Sequence, residues 1–424
     1  MQDLLAELRW RGFIAQITSE DIGDFLQAGR RTIYIGFDPT APSLHLGSLI
    51  PVMSLAHAQR CGHRPVVLVG GGTGLIGDPS GKASERVLLT REKAAENAAA
   101  MAKQISRFLD LSSKDRALML DNSEWLCSLN LVDFLRDVGK HFSVNEMVKR
   151  DSVRIRLEER DQGISYTEFS YMLLQAYDFY HLCRHHDCTV QMGGSDQWGN
   201  IVSGKDLIRR TLGQRVEGIT FPLLTISSGQ KFGKTEEGAV WLDAAMTSPY
   251  QFYQYWIQTA DRDVVGYLRL FTFLRSEEIE VLSAAVQENP EAREAQRSLA
   301  AETTRIVHGE AAVRAVEQAS QILFGSANVI PDRETLALLE REVPSSTIAR
   351  LELEAGAGLL DLLVRTGLAE SKGAARKLIE GGGVYINNRR VETGKKSITT
   401  AEISWPNVIL FRTGKKSYHL ARVV

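Results

Sequence analysis

Four short apolar runs, Ile33–Phe37, Pro65–Val69, Ala117–Leu120 and Thr189–Met192, alternate with stretches whose apolar residues recur at helical spacing. That alternation predicts βα units, and so an α/β fold built on a parallel, doubly wound sheet with helices on both faces. Leu49, Ile50, Val52, Met53 and Leu55 read as a buried helix soon after the first run. Ligands on such sheets sit at the carboxyl ends of strands. The first and fourth runs end in Gly36, Phe37, Asp38 and in Gly193, Gly194, Ser195, Asp196, Gln197, which is where chemistry is expected.

The pattern then changes along the chain. From about 130 to 165 an insertion carries Leu131, Phe134, Leu135 and Val138 at helical spacing, then Phe142, Val144 and Met147. Two readings stay open for it: packing on a core of its own, or a subunit interface. From about 246 to 325 the periods are helical without strands, as in Val264, Val265, Tyr267 and Leu268, then Leu299, Thr303, Ile306 and Val307. Pro331, Pro344, Ser345 and Ser346 break any regular period and predict a linker. In the tail, Leu359, Leu360 and Leu363 form one stripe. Ser371 caps a second helix bearing Ala374, Ala375, Leu378 and Ile379, which Gly381–Gly383 stop; Val384–Ile386 with Asn387 and Asn388 read as a strand and turn.

At 424 residues the chain is too long for one ordinary core, so roughly two to four domains are expected. There is no run of about 18 consecutive apolar residues and no charged-then-apolar leader, which predicts a soluble, cytoplasmic protein without a membrane partner. Four irregularly spaced cysteines fit a reducing compartment. Cys183 and Cys188 lie among His181, His185 and His186, but at a spacing that matches no common zinc finger, so no protein-ligated metal is expected. The net charge of −2 hides an asymmetry. From Gly356 onward twelve Lys and Arg face five Asp and Glu, a balance of +7 against −9 for the rest. A basic tail on an acidic body suggests a polyanionic partner, and RNA contact by Arg376, Lys377, Arg389 and Arg390.

Two motifs outline an ATP site. Asp38, Pro39 and Thr40 with His45, Leu46, Gly47 and Ser48 lie between the first strand and its helix, so His45 and Gly47 fall at a helix N-terminus, where backbone N–H groups attract phosphate. Lys231, Phe232, Gly233, Lys234 and Thr235 put two cations on one short loop. Two other motifs fail. Gly72–Gly77 has the glycine spacing of a dinucleotide fingerprint, but Asp78, Pro79, Ser80 and Gly81 replace the helix it needs. A phosphate loop ending at Gly81 and Lys82 would need glycine at Ile76 and a hydroxyl at Ala83.

Longer phrases carry a resemblance: Tyr34–Thr40, Leu68–Lys82, Gly139–Asn145, Thr167–Asp178, Gln191–Asn200 and Lys231–Thr235. In this ordered set, over nearly its full length, the chain resembles the bacterial tyrosyl-tRNA synthetases of class I, with a tail similar to the S4-type RNA-binding module. The resemblance implies a Rossmann-like catalytic domain over 1–228, a helical tRNA-binding domain with its lysine loop over 229–325, a linker over 326–355 and a small α+β S4-like domain over 356–424. It implies activation of L-tyrosine by ATP, with Mg2+, transfer to the terminal ribose of a tRNA, and a homodimer. By position, His45, Ser48, Lys231, Lys234 and Thr235 match the elements that stabilise phosphate. Thr40, Lys82 and Arg86 match residues that hold the leaving pyrophosphate. Gly36, Asp38, Gly47, Gly194 and Asp196 fall with the ATP site, Asp196 at a ribose position. Tyr34 and Asp178 match the pair that bonds the substrate phenol; Asp78, Tyr171 and Gln175 match the ammonium site, and Gln197 a position near the carboxylate. Tyr171, Gln175 and Asp178 also share one helix face by spacing. One departure stands out: Ser48 occupies a place where the family usually has His or Asn. An RNA-binding paralogue without activity is disfavoured by intact Lys231, Lys234, Asp78 and Asp178, and another aromatic substrate by the pairing of Tyr34 with Asp178.

Overall fold

The computed structural model describes the chain apart from residues 1, 81–88, 151–152, 155–156, 158–162, 225–231, 236–237, 325–329 and 415–416. It divides into two compact units, Met1–Ser248 with Tyr255–Val307, and Pro249–Gln254 with His308–Val424.

The first unit is built on a six-stranded sheet: β1 (Gln16–Ile17), β2 (Thr32–Phe37), β3 (Arg64–Val69), β4 (Leu118–Asp121), β5 (Cys188–Gly194) and β6 (Glu217–Phe221), in the order β1-β6-β5-β2-β3-β4. All neighbours are parallel except β1, which runs antiparallel to β6. The chain winds outward from β2 to β4, then restarts at β5 on the other side of β2. The strand order therefore reverses between β2 and β5, the place where an open α/β sheet leaves a crevice. Four of these strands coincide with the apolar runs read from sequence. Ile33, Val66, Val67 and Val190 are fully buried, each such side chain contributing ~1.5–3 kcal/mol. β6 was not among them, because its sequence opens on a charge and a glycine. Glu217 is 1% exposed and is held by Lys205 at 2.6 Å, Arg215 at 2.8 Å and the Thr18 hydroxyl at 2.5 Å.

The stretch 246–324 is largely helical, with Asp261–Phe271, Ser276–Glu288 and all but the last residue of Glu294–His308 in the first unit and Glu310–Leu323 in the second. In the insertion, the helix Leu131–Asp137 turns Phe134 onto the cluster of Val138, Ala176 and Leu207. Leu131 and Val132 remain 70% exposed, so this short element buries only part of its apolar surface.

The second unit corrects the expected linker. Asp332 caps a helix, Arg333–Glu342, by accepting from Thr335 N at 2.8 Å. Ser345–Ile348 is a strand paired parallel with Ser417–Val423 in a five-stranded sheet. Pro344 lies in the helix-to-strand turn, and the two serines that broke the period open the strand. Elsewhere the tail follows its sequence reading: helices Leu359–Arg365 and Lys372–Glu380, with Ser371 Oγ accepting from Ala374 N at 3.2 Å. The strand Val384–Ile386 turns through Asn387 (φ 48°) and Asn388 (φ 62°) into Arg389–Arg390. Arg376, Lys377, Arg389 and Arg390 are all exposed.

Candidate active site

A cavity of about 340 Å³ opens where β2 and β5 diverge. β2 supplies Tyr34 and Gly36 and hands on to Asp38 and Thr40; the turn after it supplies His45 and Ser48. The loop after β3 brings Asp78, the end of β5 brings Gly194, Asp196 and Gln197, and the helix Tyr166–His186 presents Tyr171, Gln175 and Asp178 from one face. Residues from four separate regions of sequence thus line one chamber.

At the inner end, Tyr34 is 1% and Asp178 2% exposed. The Asp178 carboxylate accepts the Asn122 amide on Oδ2 and the Trp125 indole N–H on Oδ1, each at 2.8 Å. Burial pushes this carboxyl up to about 8, against the pull of those two hydrogen bonds and with a further push from Asp38 and Asp121. The Tyr34 hydroxyl is buried and has no hydrogen-bond partner among the described residues. Burial first, and then the nearby Asp178 charge, raise its pKa well above the usual phenol value.

Beside this pair lies a run of acceptors. Tyr171 donates its hydroxyl to Asp38 Oδ2 at 2.9 Å, and Asp38 Oδ1 accepts from the Thr73 hydroxyl at 2.8 Å. Asp78 accepts Gln197 Nε2 on Oδ2 at 2.6 Å and Ser80 N on Oδ1 at 2.9 Å; Gln175 Oε1 accepts from Asn200 at 2.8 Å. Oxygens of Tyr171, Gln175 and Asp78 suit a bound ammonium group.

The sequence reading gave no site role to Asn122, Trp125, Thr73 or Asn200. Asn122 follows the end of β4, where strand-end reasoning applied to the third apolar run would have found it; Trp125 carried no signal, being one aromatic in a short helix. Asn122 also ties the site together by donating to Thr73 Oγ1 at 2.9 Å and accepting from Gly72 N at 2.8 Å.

At the outer end, His45 is the N-cap of a single 3-10 turn, Leu46–Ser48, that runs into the helix Leu49–Arg60. Gly47 does not line the cavity. A Cβ there would stand 2.8 Å from His45 Cε1, so the glycine makes room for the imidazole. Lys82, Arg86 and Lys231 lie outside the described residues. Lys234–Thr235 forms a two-residue strand paired with Gly238–Ala239. Phe232 anchors this segment in an aromatic box, with ring centroids 5.1 Å from Phe271 and Tyr267 and 5.8 Å from Trp256. Gly233 (φ 77°) packs so tightly on the Leu46 turn that a Cβ would reach Leu46 Cβ at 2.9 Å. Its positive φ and this approach both call for glycine.

A family model described as tRNA synthetases class I (W and Y) matches residues 27–325, and one for the tyrosine–tRNA ligase SYY-like C-terminal domain matches 336–421. The tyrosine–tRNA ligase of Roseiflexus castenholzii is 52% identical over the whole of both chains, and that of Bacillus caldotenax 48% identical over 99% of each. Among solved structures, a C-terminally truncated mitochondrial tyrosyl-tRNA synthetase of Aspergillus nidulans superposes with a TM-score of 0.68 at 33% identity, covering 76% of this chain and 95% of that one. A cavity that pairs a buried phenol with a buried carboxylate, on a sheet of this order and in a chain so similar throughout, leads to one assignment: the chain belongs to the tyrosyl-tRNA synthetase family of class I, and its activity is that of a tyrosine–tRNA ligase.

Proposed function

We propose that the cavity binds tyrosine at its inner end and ATP at its outer end, and that the residues named above divide the work as follows. The observation that carries the reading is the Tyr34 hydroxyl, buried beside a desolvated carboxylate and lacking a partner. A buried polar group left unsatisfied costs ~1–3 kcal/mol. A substrate phenol satisfies both groups by accepting from Tyr34 and donating to Asp178. Asp78, Tyr171 and Gln175 receive the ammonium group, and Gln197 lies near the carboxylate. That carboxylate attacks the α-phosphorus of ATP; the bond to the bridging oxygen breaks and pyrophosphate leaves, giving tyrosyl-adenylate. A ribose hydroxyl at the tRNA terminus then attacks the acyl carbon and AMP departs.

Neither step needs a covalent enzyme intermediate, so the protein's task is alignment and charge stabilisation. His45 and Ser48 face the nucleotide from the turn after β2, with Gly36, Asp38, Gly47, Gly194 and Asp196 shaping its site. Lys231, Lys234 and Thr235 serve the triphosphate, and Thr40, Lys82 and Arg86 the leaving pyrophosphate. The Mg2+ in this reading comes with ATP as part of the substrate. Arg376, Lys377, Arg389 and Arg390 contact the tRNA backbone. The exposed apolar face at Leu131 and Val132 is the homodimer surface, and the protein works in the cytoplasm; no described helix is long and apolar enough to cross a membrane.

Incubation with labelled tyrosine and Mg-ATP followed by gel filtration tests the reading. Labelled tyrosine should elute with the protein, with pyrophosphate released in equal amount, and should pass to added tRNA. Absence of tyrosine-dependent pyrophosphate release would refute it.

A further inference from the structure

The turn carrying His45 and the segment following the lysine loop are joined by a short backbone ladder. Leu46 N donates to Val240 O at 2.9 Å, Leu242 N donates to Leu44 O at 2.8 Å, and His45 pairs with Trp241 as an antiparallel bridge between them. Across that bridge the indole of Trp241 meets the His45 imidazole edge to face, with ring centroids 6.3 Å apart and planes at 66°. The imidazole also lies against Gly47, where even one added carbon would collide with it. Trp241 itself does not line the cavity.

We propose that Trp241 is a positioning residue, holding the His45 imidazole in the orientation that faces the nucleotide phosphates. The inference rests on the reading of His45 as a phosphate-facing group. A flexible imidazole would have to be ordered at the moment of reaction; one already fixed by an aromatic neighbour and a glycine floor needs no such ordering. The ladder does not depend on the indole. Trp241 N donates to Thr247 Oγ1 at 3.0 Å and Asp243 N to Ser43 Oγ at 3.1 Å. On the opposite strand, buried Gln104 accepts from Leu44 N at 2.9 Å and donates to Ser43 Oγ at 3.1 Å. Removing the ring therefore leaves the backbone in place and takes away the aromatic contact on the imidazole.

The test is tyrosine-dependent ATP–pyrophosphate exchange by the full chain carrying Trp241→Ala, Trp241→Phe, His45→Ala and the His45→Ala/Trp241→Ala pair. Trp241→Ala should lower kcat roughly 10- to 100-fold while the KM for tyrosine stays within about twofold, the signature of lost alignment rather than lost substrate binding. Trp241→Phe keeps an aromatic edge and should recover to within about threefold of the parent. Adding Trp241→Ala to His45→Ala should lower the rate no further, because the indole acts through the imidazole. Multiplicative losses in the pair, or a Trp241→Phe as impaired as Trp241→Ala, would overturn the inference. So would an unimpaired Trp241→Ala beside an impaired His45→Ala, with the role of His45 left standing. An unimpaired His45→Ala would refute that role, and this inference with it.

Discussion

The Tyr34 hydroxyl and the Asp178 carboxylate reach one cavity from two elements, strand β2 and the helix Tyr166–His186, without a hydrogen bond between them. Asn122 and Trp125 already occupy one position on each Asp178 oxygen, which fixes the plane of the carboxylate and leaves its inward side for a ligand. The pair is thus arranged around a third group, and its energetics depend on what that group can donate.

Tyrosine binding should depend on pH through Asp178. Its carboxyl is pushed up to about 8, so in the free protein it is largely protonated below that pH. A phenol that donates to it favours the ionised form and lowers its pKa in the complex. Binding then releases a proton between the bound value and about 8, and affinity rises with pH across that window before levelling off. Calorimetric titration with tyrosine from about pH 6 to pH 9 checks this, and Asp178→Asn should flatten the dependence. An affinity that falls on going up to pH 8 would contradict the assignment.

Trp125→Phe keeps the ring and removes the N–H that reaches Asp178. Hydrogen bonds to charged groups are worth ~1.5–3 kcal/mol, so the KM for tyrosine should rise by roughly 10- to 100-fold while the KM for ATP is unchanged. Steady-state kinetics with each substrate varied in turn would show it.

Charge placed on the insertion should separate subunits. Leu131 and Val132 are 70% exposed, and a Leu131→Glu/Val132→Glu variant would force carboxylates into any interface made there. Sedimentation velocity should report a dimer for the parent and a monomer for the variant, with far-ultraviolet circular dichroism unchanged.

Neutralising Arg376, Lys377, Arg389 and Arg390 together should leave amino-acid activation intact and weaken tRNA binding. The salt dependence of that binding should become shallower by about 0.7 to 1 in log–log slope for each phosphate that is no longer neutralised. Filter binding over a salt series provides the measurement.

Much of the catalytic unit was legible because its strands are nearly continuous apolar runs and their ends carry polar motifs. The period of one helix put Tyr171, Gln175 and Asp178 on a single face, whereas Tyr34, inside β2, and Asp78, nine residues beyond β3, were tied to them only by the family resemblance. Other parts were not. β6 hides its strand character behind Glu217, whose burial is made tolerable by Lys205 and Arg215, and ion pairing of that kind has no local signature. The Arg333–Glu342 helix and the Ser345–Ile348 strand look like a joint locally, since the strand's partner, Ser417–Val423, lies far along the chain. Asn122 stands at a strand end that offered a signal, whereas Trp125 matters because it meets Asp178 in space, and nothing in its position announces it.

The central claim is that this cavity reads a phenol, and ATP–pyrophosphate exchange run in parallel with tyrosine, phenylalanine and tryptophan tests it most directly. The account predicts exchange with tyrosine, little with the other two, and a narrowed preference for tyrosine over phenylalanine once Tyr34→Phe removes the unpartnered hydroxyl. Equal exchange with phenylalanine in the parent chain, or a preference untouched by Tyr34→Phe, would contradict it.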